Sequence, residues 1–315
     1  MKEGGEMVKR AALLRQWCEL FSARVFRLLP IDVASGVGAR IAYFEASRSI
    51  KAKRPWINRL HRNFEYLEGI ADFKTREQRI IQHAMHIGRV YAEYPVLHKI
   101  ARNRLSVQGE EHLRDLAGPV IFVSAHTGQW ELILEVMRRS HISTTVLYDP
   151  IPEKVFLKVA MEVRRHLSPE EQGNRFIPAS ASATRELVAC LKTGDNLILF
   201  IDEEKDGLVW APALGRNIPS AGNRMMAARL SEKFKVPIIP IHLTRKDGAD
   251  FEAVVESPLV PVNGEYGAGT AADLAELLNE TLERWLKDDY IHWYWLSRLK
   301  LEKKFPERFF KKRDC

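Results

Sequence analysis

With 315 residues, 46% of them hydrophobic and 28% charged, the chain can bury a sizeable core as one α/β domain with an appendage or as two smaller domains, and its composition excludes a disordered protein. Its three cysteines, Cys18, Cys190 and Cys315, have neither metal-like spacing nor the number for a disulfide framework, which suits a reducing compartment. Residues 1–62 carry 13 Lys/Arg against 5 Asp/Glu and residues 298–315 carry 8 against 3, so both ends are cationic around a net acidic body, fit for anionic lipid or an acidic carrier protein.

In chain order, Val8 to Leu29 places Leu14, Trp17, Cys18, Phe21, Val25, Leu28 and Leu29 on one helical stripe, and Pro30 ends the pattern. A basic helix with Trp and Phe on its apolar face suits a bilayer interface, where each Lys or Arg near an anionic leaflet adds on the order of 1 kcal/mol. The same stripe would also serve to pack on the body or on a partner subunit. Arg48, Lys51, Lys53, Arg54 and Arg59 continue the charge. The expected organisation is a membrane-associating helical segment over 1–62, an α/β domain with a helical lead-in over 63–298, and a basic tail over 299–315. No charge-free run reaches the length of a membrane span, and the first residues lack the order of a cleavable signal peptide. Ile57 to Arg104 is helical in pattern with a break at Tyr94-Pro95. Its histidines, His61, His83, His86 and His98, have no acidic companions that would point to a metal.

Pro119 to Ser124 has the length and β-branched content of a buried strand, and a helical pattern runs from Gln129 to Arg139. His126 therefore sits where strand gives way to helix, with Glu131 five positions on. On one continuous helix that spacing turns two side chains about 140° apart, so the pair meets only if His126 lies off the helix, in a turn of Ala125, Thr127 and Gly128. There the Glu131 carboxylate would accept the Nδ1 proton and leave Nε2 as a base for a substrate hydroxyl. Spacing alone leaves a second reading open, in which these are polar residues satisfied within a turn.

The chain then alternates. Strands are expected at Thr144–Tyr148, Arg175–Pro178, Asn196–Asp202 and Pro237–Leu243, and helices at Glu153–Leu167, Thr184–Lys192 and Asn223–Phe234. This order predicts a mostly parallel sheet flanked by helices, with an active site beyond the carboxyl ends of the strands, where His126 and Asp202 both fall. Arg216 lies in the Pro- and Gly-rich loop WAPALGRNIPSAG, and Arg224 lies at the start of the next helix. Free helix amides with an arginine would make a phosphate site; solvation, or pairing with the acids at 203–206, is the alternative. An amphipathic helix over Ala271 to Leu286 precedes His292-Trp293-Tyr294-Trp295, whose aromatics suit a membrane interface or the core beneath the sheet.

The ordered set HTGQWE, an apolar strand ending in Asp202-Glu203, PALGRNIPSAGNRMMAARL, VPIIPIHLTR and IHWYWLSRLK resembles the late acyltransferases of bacterial lipid A biosynthesis, the lauroyl/myristoyl type within the lysophospholipid-acyltransferase-like superfamily. The resemblance implies a glycerolipid-acyltransferase-like α/β fold, a mostly parallel mixed sheet flanked by helices with an N-terminal amphipathic membrane-interface helix. It implies an enzyme on the cytoplasmic face of the bacterial inner membrane that moves a fatty acyl chain from acyl carrier protein to a hydroxyl of a lipid A precursor. It makes His126 and Glu131 the catalytic pair, and Gln129, Tyr148, Arg164, Asp202, Arg216 and Arg224 substrate contacts, with no metal and no cofactor beyond the thioester donor. Similar phosphatidylinositol mannoside acyltransferases use acyl-coenzyme A, which keeps that donor and another glycolipid acceptor as alternatives. This sequence has Tyr148-Asp149-Pro150 for the family's usual Tyr-Arg-Pro, Asp202-Glu203 for Asp-Gln, and Ala213-Leu214-Gly215 for Phe-Phe-Gly. One acceptor-contacting arginine is thus absent, with Arg164 or Arg165 expected to supply the charge. Transfer without an acyl-enzyme is expected, because no G-x-S-x-G elbow is present. A nonenzymatic lipid-binding protein would share the basic ends without needing His126 and Glu131 in a cleft. A nucleic-acid partner is not expected, since only the pI of about 9.2 points to one and no binding motif accompanies it.

Overall fold

Short runs of β-branched and leucyl residues, each closed by a turn, supply the strands. These are β1 (Leu105–Gln108), β2 (Ile121–Ser124), β3 (Thr144–Tyr148), β4 (Arg175–Pro178), β5 (Asn196–Phe200), β6 (Glu203–Lys205), β7 (Leu208–Ala211), β8 (Ile238–Arg245) and β9 (Phe251–Val255). The computed structural model describes residues 24–150, 154–259, 270–287 and 289–310, with no side chain described at 154–156. The stripe expected over Val8 to Leu29 therefore lies outside the described residues as far as residue 23, as do Cys18, Cys315 and the end of the basic tail. Seven strands form one sheet in the order β1-β9-β8-β2-β5-β3-β4, and β6 and β7 form a separate hairpin. The five strands from β8 to β4 run parallel, while β9 turns back antiparallel on β8 and pairs parallel with β1.

Helices cover both faces, which is why the central strands read as unbroken apolar runs. Phe122, Ile198 and Ile239 point to one face, against Leu132, Ile133 and Met137 around α5 (Ile133–Arg139). Ile121, Val123, Leu197 and Leu199 point to the other, against α7 (Ala183–Lys192), α8 (Gly222–Phe234) and α9 (Ala271–Lys287). Each fully buried side chain of this kind is worth about 1.5–3 kcal/mol.

Ahead of the sheet lie α1 (Ile31–Lys51), α2 (Pro55–Glu68), α3 (Phe73–Glu93) and α4 (Leu97–Asn103). Pro55 opens α2, and Asp72 caps α3 by accepting the Thr75 N–H at 2.7 Å. Helices α1 and α3 cross at Gly38 and Gly88, where a Cβ on Gly38 would stand 2.3 Å from the Gly88 carbonyl oxygen. Only glycine permits so close an approach. The outer side of α1 exposes Val33, Val37, Ile41 and Phe44, an apolar stripe at helical spacing. Among the described residues no helix is long and apolar enough to cross a membrane. Helix α1 falls within the helical segment expected over 1–62, where the sequence pattern gives it no bounds of its own, while β1, the β6–β7 hairpin and β9 were not expected. The sequence reading also placed the start of the helix after His126 too early: a 3₁₀ turn at Trp130–Leu132 precedes α5.

Candidate active site

The sheet register brings the His126 imidazole to a carboxylate. Ser124 at the end of β2 pairs with Phe200 at the end of β5, so His126 and Asp202, each two residues farther on, emerge side by side beyond the carboxyl edge. The turn at His126 is held by its neighbours. Thr127 donates through Oγ1 to the Leu243 carbonyl at 2.9 Å, and the His126 carbonyl accepts the Tyr294 N–H at 2.9 Å. Gly128 has φ +57°, and a Cβ there would lie 2.8 Å from the Leu243 oxygen, so the turn requires glycine.

His126 Nδ1 lies 2.8 Å from Asp202 Oδ1. Asp202 Oδ2 accepts the backbone N–H of His126 and the indole N–H of Trp293, both at 2.9 Å. The Asp202 side chain has no exposed surface. A buried carboxylate that already takes two N–H donors is the acceptor for the Nδ1 proton as well. The tautomer that results leaves Nε2 as a lone pair, without a protein partner among the described residues. The indole nitrogen of Trp295 also stands 3.1 Å from Nδ1. Both are donors in this tautomer, so charge gives Nδ1 to Asp202 and leaves the Trp295 N–H for another acceptor.

Glu131 does not make the expected bond to His126. Its carboxylate takes Arg164 Nε at 3.0 Å on each oxygen, Arg164 Nη2 at 2.6 Å and the Tyr94 hydroxyl at 3.0 Å. Burial works against the charge of Arg164, but the adjacent Glu131 outweighs it and raises the guanidinium pKa. Burial, reinforced by Glu131, likewise pushes the Tyr94 phenol well up. The physical reason for the correction is direction: Glu131 lies in the 3₁₀ turn and points across to α6 (Lys154–Leu167), where Arg164 offers a full charge and a fork of donors.

His126, Glu131, Tyr148, Arg164 and Asp202 all line one cavity of about 1150 Å³. It continues between α1 and α3 along Gly38, Ile41, Ala42, Ala84 and Gly88, so that a polar head and an apolar barrel are joined. Arg164 also lies over the Tyr148 ring, 5.3 Å from its centroid.

Three expected substrate contacts lie elsewhere. Gln129 is buried and donates to the Val90 carbonyl and Glu93 Oε2, both at 3.2 Å, because the buried Glu93–Arg245 pair behind the turn needs polar neighbours. Arg216 caps its own loop, donating to the carbonyls of Ala213 and Pro212 at 2.9 and 2.8 Å. Arg224 is buried and donates to the Ala275 carbonyl at 2.9 Å on α9 (Ala271–Lys287). The anticipated phosphate site at the start of α8 (Gly222–Phe234) is filled from within, since Glu203 Oε2 accepts the Asn223 N–H at 2.7 Å. Burial pushes the Glu203 carboxyl up. Among the described residues no group of three His, Cys, Asp or Glu is placed to hold a metal. Trp293 and Trp295, for which the family likeness favours a structural place near the site, stand against Asp202 and His126.

A family model of bacterial lipid A biosynthesis acyltransferases matches residues 6–301. Among curated proteins none matches the sequence. Among solved structures, the 1-acyl-sn-glycerophosphate (LPA) acyltransferase PlsC from Thermotoga maritima is similar at 13% identity and a TM-score of 0.40, with 82% of this chain and 98% of that chain covered. The family match spans nearly the whole chain, and this protein belongs to the bacterial lipid A biosynthesis acyltransferases, a family of O-acyltransferases.

Proposed function

We propose that the protein transfers a fatty acyl chain from acyl carrier protein to a hydroxyl of a lipid A precursor or related membrane glycolipid, with His126 as the base. The observation that carries this reading is the unpartnered Nε2 of an imidazole held by Asp202 at the polar head of a long apolar cavity. His126 Nε2 takes the proton of the acceptor hydroxyl as its oxygen bonds to the thioester carbonyl carbon. The tetrahedral intermediate then expels the thiolate, which takes the proton back from the imidazolium. Acyl-coenzyme A is the alternative donor. No cofactor enters these steps.

The exposed stripe Val33, Val37, Ile41 and Phe44, with Arg40, Arg48 and Lys51 exposed on the same helix, supports peripheral attachment to an anionic bilayer, here assigned to the cytoplasmic face of the inner membrane. Ile41 belongs both to the stripe and to the cavity wall, which would let an acyl chain pass between them. Replacing His126 by Ala in a normally folded protein is expected to lower transfer by roughly 10²–10⁴-fold. Near-wild-type transfer would overturn the assignment. Mass spectrometry of lipids from cells with and without the gene identifies acceptor and chain together.

A further inference from the structure

We infer that Arg298 is a phosphate-binding residue at the rim of the catalytic cavity, recognising a phosphate ester on one of the two substrates. Its guanidinium lies over the rings of Tyr294 and Trp295, 5.7 and 5.5 Å from their centroids. Among the described residues it makes no side-chain hydrogen bond and no ion pair. A guanidinium held by its face on aromatic rings keeps its N–H edges free, in the fork that fits two phosphate oxygens.

The backbone beneath it is tied down. Arg298 N–H donates to the Trp295 carbonyl at 2.7 Å, the Arg298 carbonyl accepts Arg59 Nη1 at 3.3 Å, and Lys300 N–H donates to the Gly207 carbonyl at 3.1 Å. That last bond brings the segment beside the β6–β7 hairpin, which carries Lys205. Lys205, Ser297 and Arg298 all line the cavity, and the side chains of Lys205 and Ser297 also make no hydrogen bond or ion pair among the described residues. Glu203 accepts the Asn223 N–H and is acted on by the charge of Lys205, and Glu204 accepts the Gly207 N–H. The Arg298 guanidinium and the Ser297 hydroxyl are left for an anion.

Trp295 is also the ring against His126, with centroids 5.1 Å apart. The guanidinium is thus only two ring contacts from the base. This short span favours a phosphate carried on the acceptor's sugar head group, close to its reacting hydroxyl. The phosphate of a carrier's pantetheine arm is the other source. Only the identity of these two carriers rests on the acyl-transfer reading.

The test is calorimetric titration of the full-length protein, and of Arg298→Gln and Arg298→Lys, with two probe pairs. One pair is a short-chain N-acyl-glucosamine 1-phosphate and its phosphate-free counterpart; the other is 4′-phosphopantetheine and pantetheine. The wild type should bind the phosphorylated sugar roughly ten- to hundredfold more tightly than its counterpart. Arg298→Gln should erase that difference, and Arg298→Lys should keep part of it. A preference found instead in the pantetheine pair, and erased by Arg298→Gln, supports the site and assigns it to the donor. The inference is overturned if neither pair shows a preference, if the preference survives Arg298→Gln, or if that variant weakens phosphate-free and phosphorylated probes alike. Turnover plays no part in these titrations, so a protein that binds as expected without transferring acyl groups would refute the acyl-transfer reading alone.

Discussion

Replacing Asp202 by Asn separates the two carboxylates near the imidazole, because they make opposite predictions. Asp202 accepts three hydrogen bonds, from His126 Nδ1 at 2.8 Å, the His126 N–H at 2.9 Å and the Trp293 indole at 2.9 Å. The last two fall on the same oxygen, so an asparagine carbonyl is drawn to that position and its amide group turns toward Nδ1. The amide can only donate there. It forces the other tautomer, with the proton on Nε2, and the base is blocked while the fold is kept. The expected loss in kcat is roughly 10²–10⁴-fold. The assays are acyl transfer followed by mass spectrometry and 15N NMR of the His126 ring, which should show Nδ1–H in the wild type and Nε2–H in Asp202→Asn. Glu131→Gln is the control. It leaves the Arg164 guanidinium, whose side chain is 12% exposed, without its carboxylate, a stability loss of roughly 3–5 kcal/mol, and it leaves the imidazole tautomer unchanged. The reasoning is refuted if Asp202→Asn retains activity with Nδ1–H, or if Glu131→Gln is the variant that moves the proton.

Three further outcomes follow from the same geometry. Gly38→Val should lower the urea midpoint, since its Cβ would meet the Gly88 carbonyl oxygen at 2.3 Å, at a cost of roughly 1–3 kcal/mol or more; Gly36→Ala, with nothing within 4 Å of the added Cβ, should be neutral or stabilising, and equal effects of the two would deny the close crossing. Val37→Asp combined with Phe44→Asp should abolish flotation with anionic vesicles without changing the melting temperature, and unchanged flotation would place the lipid contact elsewhere. Burial lowers both His83 and His242 to about 4, so between pH 6.5 and 4 the unfolded chain binds protons that the folded chain refuses. Their contribution is fully present above pH 6.5 and is lost as pH falls, by on the order of 3 kcal/mol for each histidine across that window; urea midpoints that stay flat from pH 7 to 5 would contradict it.

The α/β alternation was legible because each strand there is a short apolar run between a turn and an amphipathic helix. Thr144–Tyr148 and Arg175–Pro178 have the expected bounds. The bounds of α1 within the helical segment expected over 1–62 were not legible because its pattern is not that of a half-buried helix: small residues, Ala34, Ser35, Gly38 and Ala39, are buried, and the larger Val37, Ile41 and Phe44 are exposed. Large apolar side chains face outward where a simple reading of periodicity places the core. For the site, the sequence placed His126 and Asp202 at strand ends but could not show that β2 and β5 are neighbours. That adjacency, across a sequence separation of 76 residues, decides the carboxylate. The pattern from His126 to Glu131 is local, and local spacing could not reveal that Arg164, 33 residues past Glu131, takes the acid away.

The substitution of Asp149 for an arginine gains a physical meaning once Arg164 and Arg165 are accounted for. Arg164 is neutralised by Glu131 inside the cavity wall, and Arg165 pairs with Glu170 in solvent, so neither brings a free cation to the substrate. Asp149 itself lines the cavity, where burial, with Asp202 and Asp149 adding to it, pushes the Glu203 carboxyl up. That side of the cavity repels anions. An anionic group on the acceptor is therefore drawn to Arg298 and Ser297, which line the same cavity. The resembled family pattern has an arginine after the tyrosine instead. Restoring it by Asp149→Arg should then give the acceptor a second cationic contact and reduce the dependence on Arg298. In the Asp149→Arg background, Arg298→Gln should raise KM for a phosphorylated acceptor less than it does in the wild type. An equal increase in both backgrounds would show that the two positions do not exchange this role.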